Sequence, residues 1–381
     1  MANTLTALAP VAYTAAKEVA AEPFGLIDAI NTNFDDKGVA VGDTIYVPVA
    51  PARSTTDFTP AATTSAGTDA TATSTGVQIT ASKKVSWNIT GEQERSLQNG
   101  GSDTTWLQQL LMQGMRVLRN SAEAAAWSAT IAGASRAYGT AGTTPFASDL
   151  TALTNARKIL QDNGAPLADL HFVGDTNAGL NLRNLGVFQN AYQAGSDSER
   201  RTGRFLPQVG FNIAESAQVS TKTAGTAASA TTNNAGYAVG DTVITLAAIG
   251  TGTILAGDVI TFAGDTNKYV VVSGDADVSN GGTITIAAPG LRVAMSAATK
   301  AITVVSTWTG NVALERSAVV GIMRPPLMPA NPTISQMMVS DPQGMSYLLL
   351  DIAQYGMRSL ELHLAYGFKT VNPEFSALVL G

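Results

Sequence analysis

The sequence contains no cysteine and only two histidines. Disulfides and thiolate metal sites are therefore excluded, and the residue type that most often moves protons near neutral pH is almost missing. Charged residues make up only 14% of the chain and aromatic residues 6%. The net charge is −6 and the isoelectric point about 5.0, which argues against a dedicated nucleic-acid binder with a basic face. No stretch reaches the roughly 18 apolar residues of a membrane span. The opening "MANTLTALAPVAYTAAKEVAAEPFG" lacks the basic start and unbroken apolar centre of a secretory signal, so the expectation is a protein made and used without export.

What is present is Thr, Ser, Asn, Gly and Val in a chain that is 45% hydrophobic, a composition for folded, strand-rich structure. The length of 381 residues suits two or three domains at roughly 100–200 residues each. Residues 3–34 form an arm with helical tendency, with Phe24, Leu26, Ile27 and Ile30 on a short apolar face. "VGDTIYVPVA" alternates as a strand, "PARSTTDFTPAATTSAGTDATATSTG" has almost no large apolar group, and "VQITASKKVSWNIT" is a strand again. Together they predict a long projecting hairpin. Thr90 and Gln93 have the spacing of a capping box for a short helix. Ser102 or Asp103 then opens the strongest helix, in which Trp106, Leu107, Leu110, Leu111, Met115, Leu118, Ala122 and Ala125 recur at helical spacing. Gly133 stops it after about 30 residues, roughly 45 Å. Next come a helix, a strand ("LHFVGD") and another helix, capped by Ser148 or Asp149 and by Asp175 or Thr176.

Residues 221–307 read as a self-contained β unit, with strands at Val243–Leu246, Val259–Phe262, Tyr269–Val272, Thr283–Ile286 and Ile302–Val305. This unit is expected to fold alone. Its "VGDTVITL" and "AGDVITFAGD" share a Gly-Asp opening with the earlier "VGDTIYVP", which reads as recurrent turn chemistry: Gly takes positive φ and Asp bonds its own backbone. Methionines 323, 328, 337 and 338 read as gap-filling packing. In the last stretch Leu360, Leu362, Leu364, Tyr366 and Phe368 share one strand face.

Candidate chemistry is sparse. Neither His171 nor His363 has a His or Cys at ligand spacing, and both read as structural or solvated. Asp275 and Asp277 in "GDADVSNGG" begin like a calcium loop, but the position for the closing Glu is Ile286, so an acidic turn is the better reading. "GTGTILAGD" lacks the Lys-Ser/Thr of a phosphate loop, and G-x-S-x-G is absent. No cofactor is expected, and an enzyme is disfavoured. Candidate inter-subunit contacts are Lys83 and Lys84 on the hairpin, weighed against a solvated or aggregation-blocking strand edge. Arg200, Arg201 and Arg204 of "ERRTGR" are candidates too, weighed against an ordinary solvated loop. Asp241 and Asp258 could pair with basic residues next door, although turn-building is the stronger reading.

The order of these parts, with "MANTLTALAPVAYTAAKEV", "GVAVGDTIYVPVAP", "VSWNITGEQERSLQNGG", the β insertion after "PQVGFNIAESAQV" and the ending "YGFKTVNPEFSALVL", resembles the tailed-bacteriophage major capsid (coat) protein of Hong Kong 97-type fold. The likeness extends over nearly the whole chain, nearest to podovirus coat proteins with an inserted β-barrel domain. It implies an α+β fold divided into an N-terminal arm (1–43), an extended hairpin loop (44–89), a peripheral domain with the spine helix (90–147), the first part of an axial domain (148–220), an inserted all-β barrel or sandwich (221–307), and a return to axial and peripheral domains (308–381). It further implies a virion protein, assembled in the host cytoplasm as hexamers and pentamers of an icosahedral shell around double-stranded DNA, without sequence-specific binding. Scaffolding protein and portal are implied partners, a decoration protein is a further one, and a membrane is not. The other readings are a carbohydrate-binding or adhesive β-rich surface protein and an enzyme with an unfamiliar site.

Overall fold

The computed structural model describes residues 8–22, 25–34, 37–49, 55, 57, 60, 73–99, 103–186, 203, 205, 207–328 and 334–381. The architecture is α+β, with two large sheets sharing one long helix.

That helix, Asp103–Gly133, has 31 residues and spans about 46 Å. Leu111, Met115, Leu118 and Ala122 are buried along one side as the spacing predicts, and at the next turn Ala126 is buried while Ala125 is only half-buried. They pack on a six-stranded sheet whose centre is the 14-residue strand Met357–Thr370. Leu360, Leu362, Leu364, Tyr366 and Phe368 face the core from that strand. Ala81–Thr90 pairs along one edge of it, Met357 opposite Thr90, and the other edge is shared by Ser346–Gln354 and Val319–Arg324. Helix and strand are also stitched by polar bonds: the hydroxyls of Ser121 and Tyr366 lie 2.8 Å apart, and Thr370 Oγ1 donates to Ala129 O at 3.1 Å. A Cβ at Gly114 would run into the Trp87 indole, so glycine there lets strand and helix meet. The helix Gly91–Asn99 starts with the expected capping box: Gln93 N donates to Thr90 Oγ1 at 3.3 Å, and Thr90 N to Gln93 Oε1 at 3.1 Å.

In the second sheet Ser376–Leu380 runs between Arg136–Gly139, which it parallels, and Trp308–Glu315, which it opposes. Leu170–Gly174 and then Phe211–Glu215 extend the sheet outward. Thr151–Asp162 and Thr176–Asn184 complete the compact α/β part. Asp175 caps the latter by accepting from Ala178 N at 2.9 Å. Asp149 accepts from Thr151 N at 2.8 Å at the start of the former.

The β stretch after residue 220 has its strands where the sequence places them, at Val243–Leu246, Val259–Phe262, Lys268–Ser273, Gly282–Ile286 and Ile302–Val304. Its relation to the body differs from the expectation of a unit that stands by itself. Lys268–Ser273 pairs with Arg136–Gly139, Tyr269 opposite Arg136, so these strands continue the second sheet. The pleat explains the join. Ile260, Tyr269 and Val271 face a local core with Ile244, Ile284 and Leu291, while Val259 and Val270 face the main core with Trp127 and Ile131 of the long helix. Strands buried on both faces read as unbroken apolar runs, as "YVVV" does.

Candidate assembly surfaces

The hairpin begins as an antiparallel ribbon, Thr44–Val49 against Thr73–Gln78, from Thr44 opposite Gln78 to Val49 opposite Thr73. Among the described residues these two strands pair with each other and with no other strand. Their base is tied to the body. Thr80 N donates to Tyr366 O at 3.1 Å and Lys369 Nζ to Gly76 O at 3.0 Å, and Gly367 has no Cβ to obstruct the Gln78 carbonyl. Beyond the base, side chains alternate between exposed and half-buried, and Tyr46 is 69% exposed. The low-complexity tip expected at 51–76 lies mostly outside the described residues.

A Gly-Asp turn feeds the ribbon, and the same device recurs twice. Asp43 N donates to Ala40 O at 3.1 Å, while Ala40 N donates back to Asp43 Oδ2 at 2.8 Å. At Asp241 the corresponding distances to Ala238 are 3.3 and 2.7 Å. At Asp258 those to Leu255 are 3.0 and 2.7 Å. The preceding glycines have φ of +100°, +94° and +82°, the region needed at the third position of a type II turn. Val41 and Val239, each 59% exposed, occupy the second position of their turns.

Lys83 is exposed. Lys84 is 54% exposed in its side chain and bonds Glu361 of its own chain at 2.9 Å. Burial raises the Glu361 carboxyl, but Lys84 and His363 outweigh it and the net direction is down. Arg200, Arg201 and Arg204 lie outside the described residues. Asp241 is exposed and engaged in its turn. The expectation of an inter-subunit contact fails at Asp258, which is fully buried. Its Oδ2 accepts from Leu255 N at 2.7 Å and Gly225 N at 3.0 Å, and Lys222 Nζ lies 3.7 Å from Oδ1. It has no surface to offer a neighbour.

Both histidines have carboxylate partners, Asp169 for His171 at 2.8 Å and Glu361 for His363 at 3.0 Å. Asp277 accepts from Ser279 N and Oγ and from Asn280 Nδ2, an acidic turn closed on itself. Its hydrogen bonds to Ser279 hold its carboxyl below the usual range. Among the described residues no group of three or more His, Asp or Glu side chains is arranged to hold a metal ion.

Two charged side chains have a role that the helical pattern does not announce. Arg119 and Glu123 sit within the buried stripe of the long helix, at 0% and 1% exposure. Arg119 Nη1 donates to Val19 O at 3.3 Å, at the last turn of the helix Ala9–Ala20, and Nη2 donates to Gln343 Oε1 at 2.5 Å. Glu123 Oε1 accepts from Leu26 N at 3.2 Å, in the first turn of the helix Gly25–Ala29, and from the Ser216 hydroxyl. A cation thus meets the C-terminal end of one helix and an anion the N-terminal end of the next, the favourable sense for each helix dipole. Arg116 adds Glu22, two residues past the first helix, with Nε lying 2.8 and 2.9 Å from its two oxygens. The side-chain hydrogen bond from Arg116 holds the Glu22 carboxyl below its usual range. A signal exists in the sequence: charges at 116, 119 and 123 keep the three-and-four spacing of their apolar neighbours.

Comparison with known protein families and with curated proteins finds no match. Among solved structures the chain is similar to one from Mycobacterium phage Che8, with a TM-score of 0.48 and 12% identity, covering 89% of this chain and 84% of that one. It is similar to a chain of the capsid of the cyanophage P-SCSP1u, with a TM-score of 0.46 and 12% identity over 94% and 89%. A chain of the mature capsid of bacteriophage PhiM1 gives 0.44 and 12% over 94% and 87%.

Proposed function

We propose that this chain is the major capsid protein of a tailed bacteriophage, a subunit that assembles through hexamers and pentamers into an icosahedral shell around double-stranded DNA. The observation that carries this reading is the ribbon: two strands, Thr44–Val49 and Thr73–Gln78, that leave the sheet at a well-tied base and pair with nothing else described in their own chain. The ribbon's base packs on its own chain, with Ile45, Val47 and Val77 joining Val320, Ile322 and Ala365, but Tyr46 on the opposite face is open, and a two-stranded ribbon with so little cover is marginal in water. A second copy beneath it supplies the missing burial, and a closed lattice repeats the contact in every subunit, so modest contacts sum. The long helix lying across the sheet suits the stiff body of such a tile. Scaffolding protein, portal and decoration protein belong to the same reading, as do the virion as its final location and the host cytoplasm as the place of assembly.

The test is expression of the full-length chain, alone and with candidate scaffolding protein, followed by sedimentation and electron microscopy. Rings of five or six subunits or closed shells are expected. A monodisperse monomer at every concentration and with every scaffold tried would overturn the proposal, and such a monomer with affinity for a glycan would favour the adhesive alternative.

A further inference from the structure

We propose that the N-terminal segment, described over residues 8–22 and 25–29, is a proton-sensitive strap, seated on the long helix and pinned there by Glu123. This inference stands apart from shell formation and concerns the single subunit.

The strap is built on two short helices, Ala9–Ala20 and Gly25–Ala29. Its apolar side (Ala12, Ala15, Ala16, Val19, Leu26 and Ile27) is buried against the main core. The three alanines contribute little burial each, while Val19, Leu26 and Ile27 supply most of the apolar hold, and polar ties fix both ends of the segment. One end is tied by Gln108 to Glu18 at 2.9 Å, by Arg119 to Val19 O, and by Gln343 Nε2 to Ala20 O at 3.1 Å. The far end rests on Glu123, whose Oε1 serves Leu26 N and Ser216 Oγ together. Its Oε2 is buried and has no hydrogen-bond partner among the described residues.

A cavity of about 250 Å³ opens beside this carboxyl, lined by Glu22, Gly25, Arg116, Asn120 and Ser216 among others. The charged groups around it are committed elsewhere. Glu22 is held by Arg116, and Glu215 on the neighbouring strand by Arg183 at 2.7 Å. Asp28 on the strap has the same sign as Glu123, and Arg119 on the same helix is turned to Val19, Gln343 and the buried Asp341, whose Oδ2 lies 3.7 Å from Nη1 and whose carboxyl is also raised by burial. His171 lines the adjoining cavity and faces Asp169. None of these supplies Glu123 with a counter-ion. The Trp127 indole lies one turn along and draws the carboxyl down slightly, without a well-formed hydrogen bond.

Burial therefore dominates and raises the Glu123 carboxyl above its ordinary 4.5, against the pull of Ser216 and Leu26, with Asp28 adding to the rise. Lifting residues 25–26 admits water to the carboxylate and returns it to its ordinary value. The closed form then binds a proton more tightly than the open form. Between the two values, each unit of rising pH multiplies opening about tenfold. The strap is tight in mild acid and loosens toward neutral pH.

Hydrogen–deuterium exchange of the purified full-length chain between pH 4.5 and 8, corrected for chemical exchange rates, reads this directly. Protection over residues 8–30 is expected to fall as pH rises above 4.5, about tenfold per unit until it levels. Glu123→Gln should hold the acid level of protection throughout. Ser216→Ala removes a donor to the ionised form and should carry the loosening to higher pH; it keeps the carboxyl, so it decides the matter if Glu123→Gln fails to fold. A flat wild-type profile, an unchanged slope in Glu123→Gln, or a Ser216→Ala profile identical to wild type would each overturn the proposal.

Discussion

Two strands of this protein leave the same turn and meet opposite fates. After Asp43 the chain runs into Thr44–Val49, where Tyr46 is 69% exposed; after Asp258 it runs into Val259–Phe262, where Val259 and Ile260 are fully buried and Phe262 is 2% exposed. The turns match in hydrogen bonding and in glycine conformation, so the turn fixes only that a strand begins. The residues of the strand itself decide whether it is covered on both faces. "TIYVPV" carries a proline and places polar or amphipathic side chains on alternate positions, whereas "VITF" and the neighbouring "YVVV" present apolar groups to two cores at once.

The widest separation between the two strands should come from introducing a charge. Val270→Asp places an unpaired carboxylate between the long helix and the inserted strands, at a cost of several kcal/mol against a typical total of about 5–15. The expected outcome is loss of soluble, cooperatively melting protein. Tyr46→Asp should leave the melting of the single subunit within about 0.5 kcal/mol of wild type, while lowering the yield of assembled particles. Equal damage from both would erase the contrast.

The turns themselves give a smaller difference. Asp258→Ala strands the amides of Leu255 and Gly225 and leaves Lys222 without its partner, for an expected loss of about 3 kcal/mol. Asp43→Ala exposes its freed amide to water and should cost about 1 kcal/mol. Urea denaturation of the two variants measures the gap, and a gap near zero would mean that burial does not distinguish the turns.

The smallest effect belongs to the buried central strand of the first sheet. His363, on the central strand, is 6% exposed, and burial lowers its imidazole below the ordinary 6.5, with Lys84 pushing the same way and Glu361 opposing. The unfolded chain then binds the proton more readily. The contribution to stability is present above pH 6.5 and is lost as pH falls from there through the folded value. The urea midpoint should decline over that interval in the wild type and less in His363→Gln.

Local features are legible in the sequence because their causes are local. The capping box of Thr90 and Gln93, the Asp175 cap, the Gly-Asp turns and the five strands after residue 240 all arise from residues a few positions apart. The pairing of Lys268–Ser273 with Arg136–Gly139 is not legible, because alternation specifies faces and leaves the partner open. That pairing is why residues 221–307 form part of a larger sheet, although their own alternation suggests a free-standing unit. Arg119 and Glu123 escape notice for a different reason. Their spacing marks the covered side of the helix, yet charge usually marks the wet side, and only the helix ends lying opposite them resolve the conflict.

The placement of Ser376–Leu380 between Arg136–Gly139 and Trp308–Glu315 has a consequence for biosynthesis. A ribosome makes one flanking strand more than two hundred residues before the strand that closes the gap, so the nascent sheet waits with two raw edges and a long loop still to close. During that wait the chain is most open to wrong partners, including other copies of itself. Cellular chaperones that shield the open edges should therefore raise the yield of folded subunits more than any added stability in the finished structure.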